Sequence, residues 1–271
     1  MDITGETFSI TIPGLYTFYY KHDNLFYKEL EVFVGDKKYN ATVSGDQVVL
    51  GAGGIGNGAN YAKGDIEAGY VDQAYYALEG TYDLDDYIVL DFTGKNLPEI
   101  AFFSQNYSNS MYANGLKKQG IVVVTGITMY NGTPSPINGN CTALNYGFPF
   151  MIQDASNGGF CEQAQRPSQL ARENLQDGVH YRVIMGFSKY NDNAIDLKWC
   201  LYNLDTGEIV EESSMHTWNF FTGSNSQVNN MTIGDLSGEI VLYGKFGVEC
   251  TIDKIHGVYE NTTMEDVKAL F

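Results

Sequence analysis

The stretch "AIDLKWCLYNLDTGEIVEESS", Ala194 to Ser214, alternates with a period of two before its turn. Ile195, Leu197, Trp199 and Leu201 fall on one face of an extended chain, and Asp196, Lys198, Cys200 and Tyr202 on the other. Leu204-Asp205-Thr206-Gly207 supplies a short turn with glycine at the left-handed position, and Glu208–Ser214 returns. A second tight turn, Tyr190 to Ile195, leads into the same strand from "HYRVIMGFSKY". Three strands in a meander follow, with Trp199 facing a core. Trp218 also lies in an apolar context and reads as core.

The same grammar runs along most of the chain. "TFSITI", "GLYTFYYKH", "FYKELEVFVG", "DQVVLG", "YIVLDFTG", "EIAFFSQ", "QGIVVVTGITMY", "GEIVLYGKFG" and "ECTIDKIHGVY" are strand-like runs separated by glycine, asparagine and aspartate. Helix is scarce. The two candidates are "SQLARENLQDG" and "NTTMEDVKALF", the second with Thr262 or Thr263 as N-cap and Val267 and Leu270 as apolar contacts. Turns recur at the spacing expected of a sandwich.

One motif argues for another fold and fails. Gly51-Ala52-Gly53-Gly54-Ile55-Gly56 spells the G-x-G-x-x-G of a dinucleotide-binding loop. That loop works only when a helix follows and its N-terminus holds the pyrophosphate. Here Gly58, Gly64 and Gly69 interrupt the continuation, and no apolar stripe at i, i+3, i+4 and i+7 runs through it. The glycines read as a loop, and no nicotinamide or flavin is expected.

The chain has 271 residues, enough for a self-sufficient core. Sixteen basic residues stand against 33 acidic ones, a formal charge of −17, which makes nucleic acid and anionic lipid poor partners. No apolar run of spanning length occurs, so no membrane insertion is expected. The N-terminal "MDITGETFSITI" lacks the pattern of a signal peptide; it fits a cytosolic chain or a piece of an exported protein. Cys141, Cys161, Cys200 and Cys250 stand far apart, without zinc spacing, and allow three disulfide pairings or none. Cys200 and Cys250 sit in strand-like runs and read as small buried residues; Cys141 and Cys161 flank a loop and could pair with each other.

Two phrases resemble a known family. "EGTYDLDDYIVLDFTGKNLPEIAFFS" resembles the early strands of a concanavalin A-like (laminin-G-like) jelly roll of Gram-positive bacterial surface proteins. "SGEIVLYGKFGVECTIDKIHGVYE" is similar to the closing strands of that module. "TFSITIPGLYTFYYKHDNLFYKELEVFVG" resembles the terminal strands of a bacterial immunoglobulin-like domain. The resemblance implies an all-β chain: a concanavalin A-like jelly-roll sandwich of two antiparallel sheets with a small N-terminal β segment. The expected boundaries are immunoglobulin-like strands at 1–38, a glycine-rich connection at 39–69, the jelly roll at 70–262 and a helical tail at 263–271. The N-terminal strands need a partner, because a lone hairpin is marginal in water. They are expected to pack on or extend the jelly roll, or else to pair with a neighbouring domain or chain.

Jelly-roll β-glucanases carry two glutamates spaced E-x-D-x-x-E or E-x-D-x-E on one strand, and this chain has neither spacing. Glu208, Glu211 and Glu212 read as a solvated strand edge. His22, His180, His216 and His256 are isolated, and no G-x-S-x-G elbow occurs. No catalytic residue is therefore assigned. The reading is a non-catalytic, lectin-like carbohydrate-binding module, extracellular or on a bacterial cell surface, with a glycan or glycoprotein as partner. The alternatives are an adhesive or structural spacer that binds protein, and a divergent glycoside hydrolase on the same fold.

Sugar sites pair exposed aromatic faces with amides, acids and arginine. Two loops have that mixture: Gln105, Asn106, Tyr107, Tyr112 and Asn114 in one, and Asn145, Tyr146, Gln153, Asp154 and Arg166 in the other. Calcium would be taken by the acidic loops, through Asp83 and Asp85 in one and Asp192 and Asp196 in the other, although neither has full ligand spacing.

Overall fold

The structure is a computed structural model that describes residues 14–22, 25–34, 37–52, 74–105, 119–123, 150–154, 159–164, 170, 174–192, 194–216, 233–244 and 249–271. The chain divides into two compact units, Met1–Lys37 and Lys38–Phe271. In the first unit, β1 (Gly14–His22) and β2 (Leu25–Val34) pair antiparallel, with a bulge between Phe18 and Tyr19. They form a two-stranded sheet of their own. The "TFSITI" run lies outside the described residues.

The second unit is an all-β jelly-roll sandwich of two antiparallel sheets. Its strands are β3 (Lys38–Tyr39), β4 (Ala41–Ser44), β5 (Gln47–Leu50), β6 (Tyr75–Ala77), β7 (Asp86–Thr93), β8 (Glu99–Gln105), β9 (Gln119–Val123) and β10 (Phe150–Asp154). They continue as β11 (Gly159–Ala164), β12 (His180–Asn191), β13 (Ala194–Asn203), β14 (Glu208–His216), β15 (Glu239–Tyr243) and β16 (Cys250–Tyr259). Sheet I has the order β11-β10-β9-β8-β15-β6-β3, and sheet II the order β14-β13-β12-β7-β16-β5-β4. Residues 39–50, assigned above to a connection, instead supply strands at the edge of both sheets. Only "DQVVLG" reads as a strand from sequence; "KYNATVS" is too polar to announce β3 and β4, which are largely exposed.

The meander β12-β13-β14 forms as its pattern requires. Gly207 takes φ +74, a conformation that costs residues with a Cβ but not glycine. Leu197, Trp199 and Leu201 are fully buried in the core between the sheets, beside Val183, Met185 and Phe187. Sheet I contributes Ile100, Phe102, Ile240 and Leu242 to that core. Phe102 meets Phe187 edge to face, with centroids 5.2 Å apart, an orientation the ring quadrupoles favour.

Cys200 and Cys250 are buried thiols, as their strand context suggested. Cys141 and Cys161, and Trp218, fall where no side chain is described. Of the two helix candidates, the first is turn over its described residues 174–178. The second forms α1 (Met264–Lys268), capped by Thr263, whose hydroxyl accepts from the Asp266 N–H. Val267 is buried, but Leu270 is 62 % exposed and is no core contact. The helix ends before Leu270, so the i, i+3 spacing from Val267 no longer carries it to the sheet. Among the described residues no helix is long and apolar enough to cross a membrane.

Candidate functional site

Sheet I places four side chains in one row across its strands. Glu99 of β8 stands opposite Tyr243 of β15, Tyr243 opposite Tyr75 of β6, and Tyr75 opposite Tyr39 of β3. Their sequence neighbours Ile100, Leu242 and Ala74 belong to the core between the sheets. By alternation, the row therefore stands on the outer face of sheet I. Tyr39 and Tyr75 stack at 6.1 Å with an interplanar angle of 21°, and Tyr75 and Tyr243 lie 6.0 Å apart at 55°. Tyr39, on the terminal strand of the sheet, is 40 % exposed; Glu99 at the other end is 1 % exposed.

The next row is small. Ala101 faces Val241, and Val241 faces Ala77, all three buried. Beyond it Ser104 stands opposite Glu239. This pairing depends on a bulge at Phe103, which takes φ 55 and is buried with Phe102 in the inter-sheet core. An aromatic residue at positive φ is a costly conformation. The bulge absorbs one residue, so that Ser104 returns to the face shared by Ala101 and Glu99. Gly238 accommodates it: a Cβ there would come within 2.5 Å of the Phe103 carbonyl carbon.

The sugar-site residues read from sequence are only partly placed. Gln105 ends β8 opposite Gln119, and Asp154 ends β10 opposite Gly159. Gln153 pairs with Gly120, one residue from Gln119, so Gln105, Gln153 and Asp154 share one end of sheet I with Ser104 and Glu239. Asn106, Tyr107, Tyr112, Asn114, Asn145, Tyr146 and Arg166 lie outside the described residues. Sequence reasoning missed Tyr39, Tyr75, Tyr243 and Glu99, because they come from four separate strands and only the register aligns them.

The acidic loops are arranged for their own backbone. Asp86, the third acid of the first of these loops, is buried and accepts from the N–H of Asp83 at 2.7 Å and of Asn261 at 2.8 Å. Asp85 sits at φ 68; burial raises its carboxyl above the usual range, while Lys198 opposes the shift. Asp192 pairs with Lys189 at 2.7 Å, which holds its carboxyl low. Asp196 lies within β13, opposite His216 and Ser188. Among the described residues no group of three or more His, Cys, Asp or Glu side chains is placed to hold a metal ion.

The glutamates read as a solvated edge divide. Glu208 is exposed, but Glu211 accepts from the Trp199 indole at 2.9 Å, and Glu212 accepts from Lys268 with both oxygens at 2.7 Å. The reason is cross-strand: β14 borders β13, so its acids reach partners that its own sequence does not show.

A second polar cluster stands on the outer face of sheet II. Arg182 of β12 grips Asp91 of β7 with two bonds, Nε to Oδ1 at 2.7 Å and Nη2 to Oδ2 at 2.8 Å. His256 Nε2 lies 2.7 Å from Asp91 Oδ2 and 3.1 Å from Arg182 Nη2. A proton on Nε2 donates to the carboxylate, the shorter and charge-assisted contact, so Arg182 is then a neighbour of that nitrogen and not its partner. All three side chains are 15 % exposed. Burial pushes the Asp91 carboxyl up, but the bonds from Arg182 and His256 outweigh it and hold it below the usual range. The cluster satisfies itself and presents a fixed guanidinium plane.

No known family profile matches the chain, and no curated protein matches it. A solved structure that does match is a human SPRY domain, with a TM-score of 0.29 and 11 % identity over 84 % of this chain and 100 % of that one. What the strands and their order define is a class of fold, the jelly-roll β-sandwich, carrying a tyrosine row on one outer face.

Proposed function

We propose that the chain is a non-catalytic carbohydrate-binding module of an extracellular protein, and that sugar is met at the Tyr39 end of the tyrosine row. The observation that carries this reading is the row itself: Tyr39, Tyr75 and Tyr243 in successive contact, ending on Glu99. A pyranose ring presents C–H groups on its face and hydroxyls at its rim. An exposed phenol ring stacks on the first, and carboxylates and amides accept from the second. Tyr39 offers such a ring, held in orientation by Tyr75 behind it. Ser104, Glu239, Gln105 and Asp154 stand at the other end of the strands of sheet I and are not part of the Tyr39 surface. The absence of the paired-glutamate spacing supports binding without hydrolysis.

A glycan array followed by titration of the best responders tests the reading. Tyr39→Ala is expected to weaken binding at least tenfold, and Tyr39→Trp to preserve it. An array without responders, or a Tyr39→Ala chain that binds as the parent does, would refute the assignment.

A further inference from the structure

The chain beyond β16 lies on the outer face of sheet II as a bound ligand would. Asn261 turns at φ 50, and its N–H donates to buried Asp86; the N–H of Thr262 donates to the Asp85 carbonyl at 3.0 Å. Met264 and Val267 then bury themselves against Tyr87, Val89, Ile184 and Cys200. Lys268 binds Glu212 of β14. Phe271, 45 % exposed, lies against three side chains of the sheet. Its ring meets His256 edge-on at 5.1 Å and Tyr259 at 6.0 Å, and the Arg182 guanidinium carbon lies 4.3 Å from its centroid.

The segment thus meets the sheet at Met264 and Val267, one turn apart on the helix, and again at Phe271, three residues past the helix end. A five-residue helix has no stability of its own in water. The order of the segment comes from the receptor, and the receptor belongs wholly to the sandwich. Its guanidinium is fixed by Asp91 whether or not Phe271 is present.

We propose that this face of sheet II, filled here by the chain's own residues 263–271, is a docking site for the same segment of a second copy of this chain. Only Glu260, Asn261 and Thr262 separate β16 from the Thr263 cap, and Asn261 is the turn that directs the segment back onto its own sheet. Exchange between copies would reproduce every contact of the closed form, so the two states differ in the hinge and in the cost of association.

Cys200, buried beneath Val267, reports whether the face is covered, and Cys250, buried in the other cluster, reports whether the sandwich is intact. In the full chain, Val267→Asp is expected to raise the rate of Cys200 alkylation at least tenfold and leave Cys250 unchanged, as read by mass spectrometry. A synthetic peptide of residues 262–271, added in trans at millimolar concentration, is expected to restore Cys200 protection at least fivefold. The same peptide with Phe271→Ala is expected to restore less than a third of that. Should Cys250 also become reactive, the milder Phe271→Ala chain replaces Val267→Asp. An unchanged Cys200 rate in the chain variants, no restoration by the native peptide, or equal restoration by both peptides overturns the proposal.

Discussion

The indole Nε1 of Trp199 donates a 2.9 Å hydrogen bond to Oε2 of Glu211, one strand away in β14. Trp199 is fully buried, and Glu211 stands opposite Leu201, itself a core residue. An acid on the terminal strand of sheet II is therefore turned toward the interior to satisfy the one polar atom of the largest buried side chain. An inward acid of this kind also makes a strand edge a poor template for further pairing. Trp199→Ala is expected to cost about 3–5 kcal/mol, as deletion of a large core side chain does. Glu211→Leu is expected to cost about 1–3 kcal/mol through the stranded indole N–H. Urea unfolding measures both; a Trp199→Ala chain within 1 kcal/mol of the parent, on the order of a surface change, would contradict the packing described.

Gly238 and Phe103 make a second test. The strained bulge at Phe103 exists because nothing larger than hydrogen occupies the Gly238 α-position. Gly238→Ala sets a methyl against the backbone of β8, with no flexible side chain to give way. A loss of about 1–3 kcal/mol is expected. A change in chemical shift should be centred on Ser104 and spread along β8. Unchanged Ser104 resonances would show that the bulge does not depend on Gly238.

Lys268 joins α1 to β14 through both oxygens of Glu212, and that bond pushes its ammonium above the usual lysine range. Glu212 is 40 % exposed, so the pair is solvent-screened and worth about 0.2–1 kcal/mol. Lys268→Met is expected to lower the melting temperature slightly at low salt. The difference from the parent should shrink in 1 M sodium chloride, where the screening length falls to about 3 Å. A difference that grows with salt would assign the loss to packing.

How much of this was legible follows from which contacts are local. Period two in Ile195–Leu201 and the Gly207 turn announce β13, its buried face and the meander, since all of that information lies within a few residues. The glycine run Gly53–Gly56, read as a loop for the same reason, lies outside the described residues. The tyrosine row was not legible: Tyr39, Tyr75, Glu99 and Tyr243 are far apart in sequence and are aligned only by the register of four strands. The Asp91–Arg182–His256 cluster hides likewise, as three outward residues on three strands of sheet II. Strands β3 and β4 were hidden by polarity, because a sheet edge buries too little to show alternation.

The same cluster makes stability depend on pH at the acid end. In the folded chain Asp91 ionises below its value in the unfolded chain, about 3.9, because Arg182 and His256 hydrogen-bond its charged form. A carboxyl depressed on folding contributes stability that is whole above the unfolded pKa and is lost as the pH falls through the folded one. The parent is thus expected to keep this contribution down to about pH 4 and to lose it progressively below, as both states take up the proton. Asp91→Asn lacks the titrating group and leaves Arg182 without its carboxylate. It should be the less stable chain at neutral pH, with a gap that closes as the pH falls below about 4. Thermal melts of both proteins between about pH 2 and 7 measure that gap. A gap that stays constant through the acid range would mean that the Asp91 charge contributes nothing to the stability of sheet II.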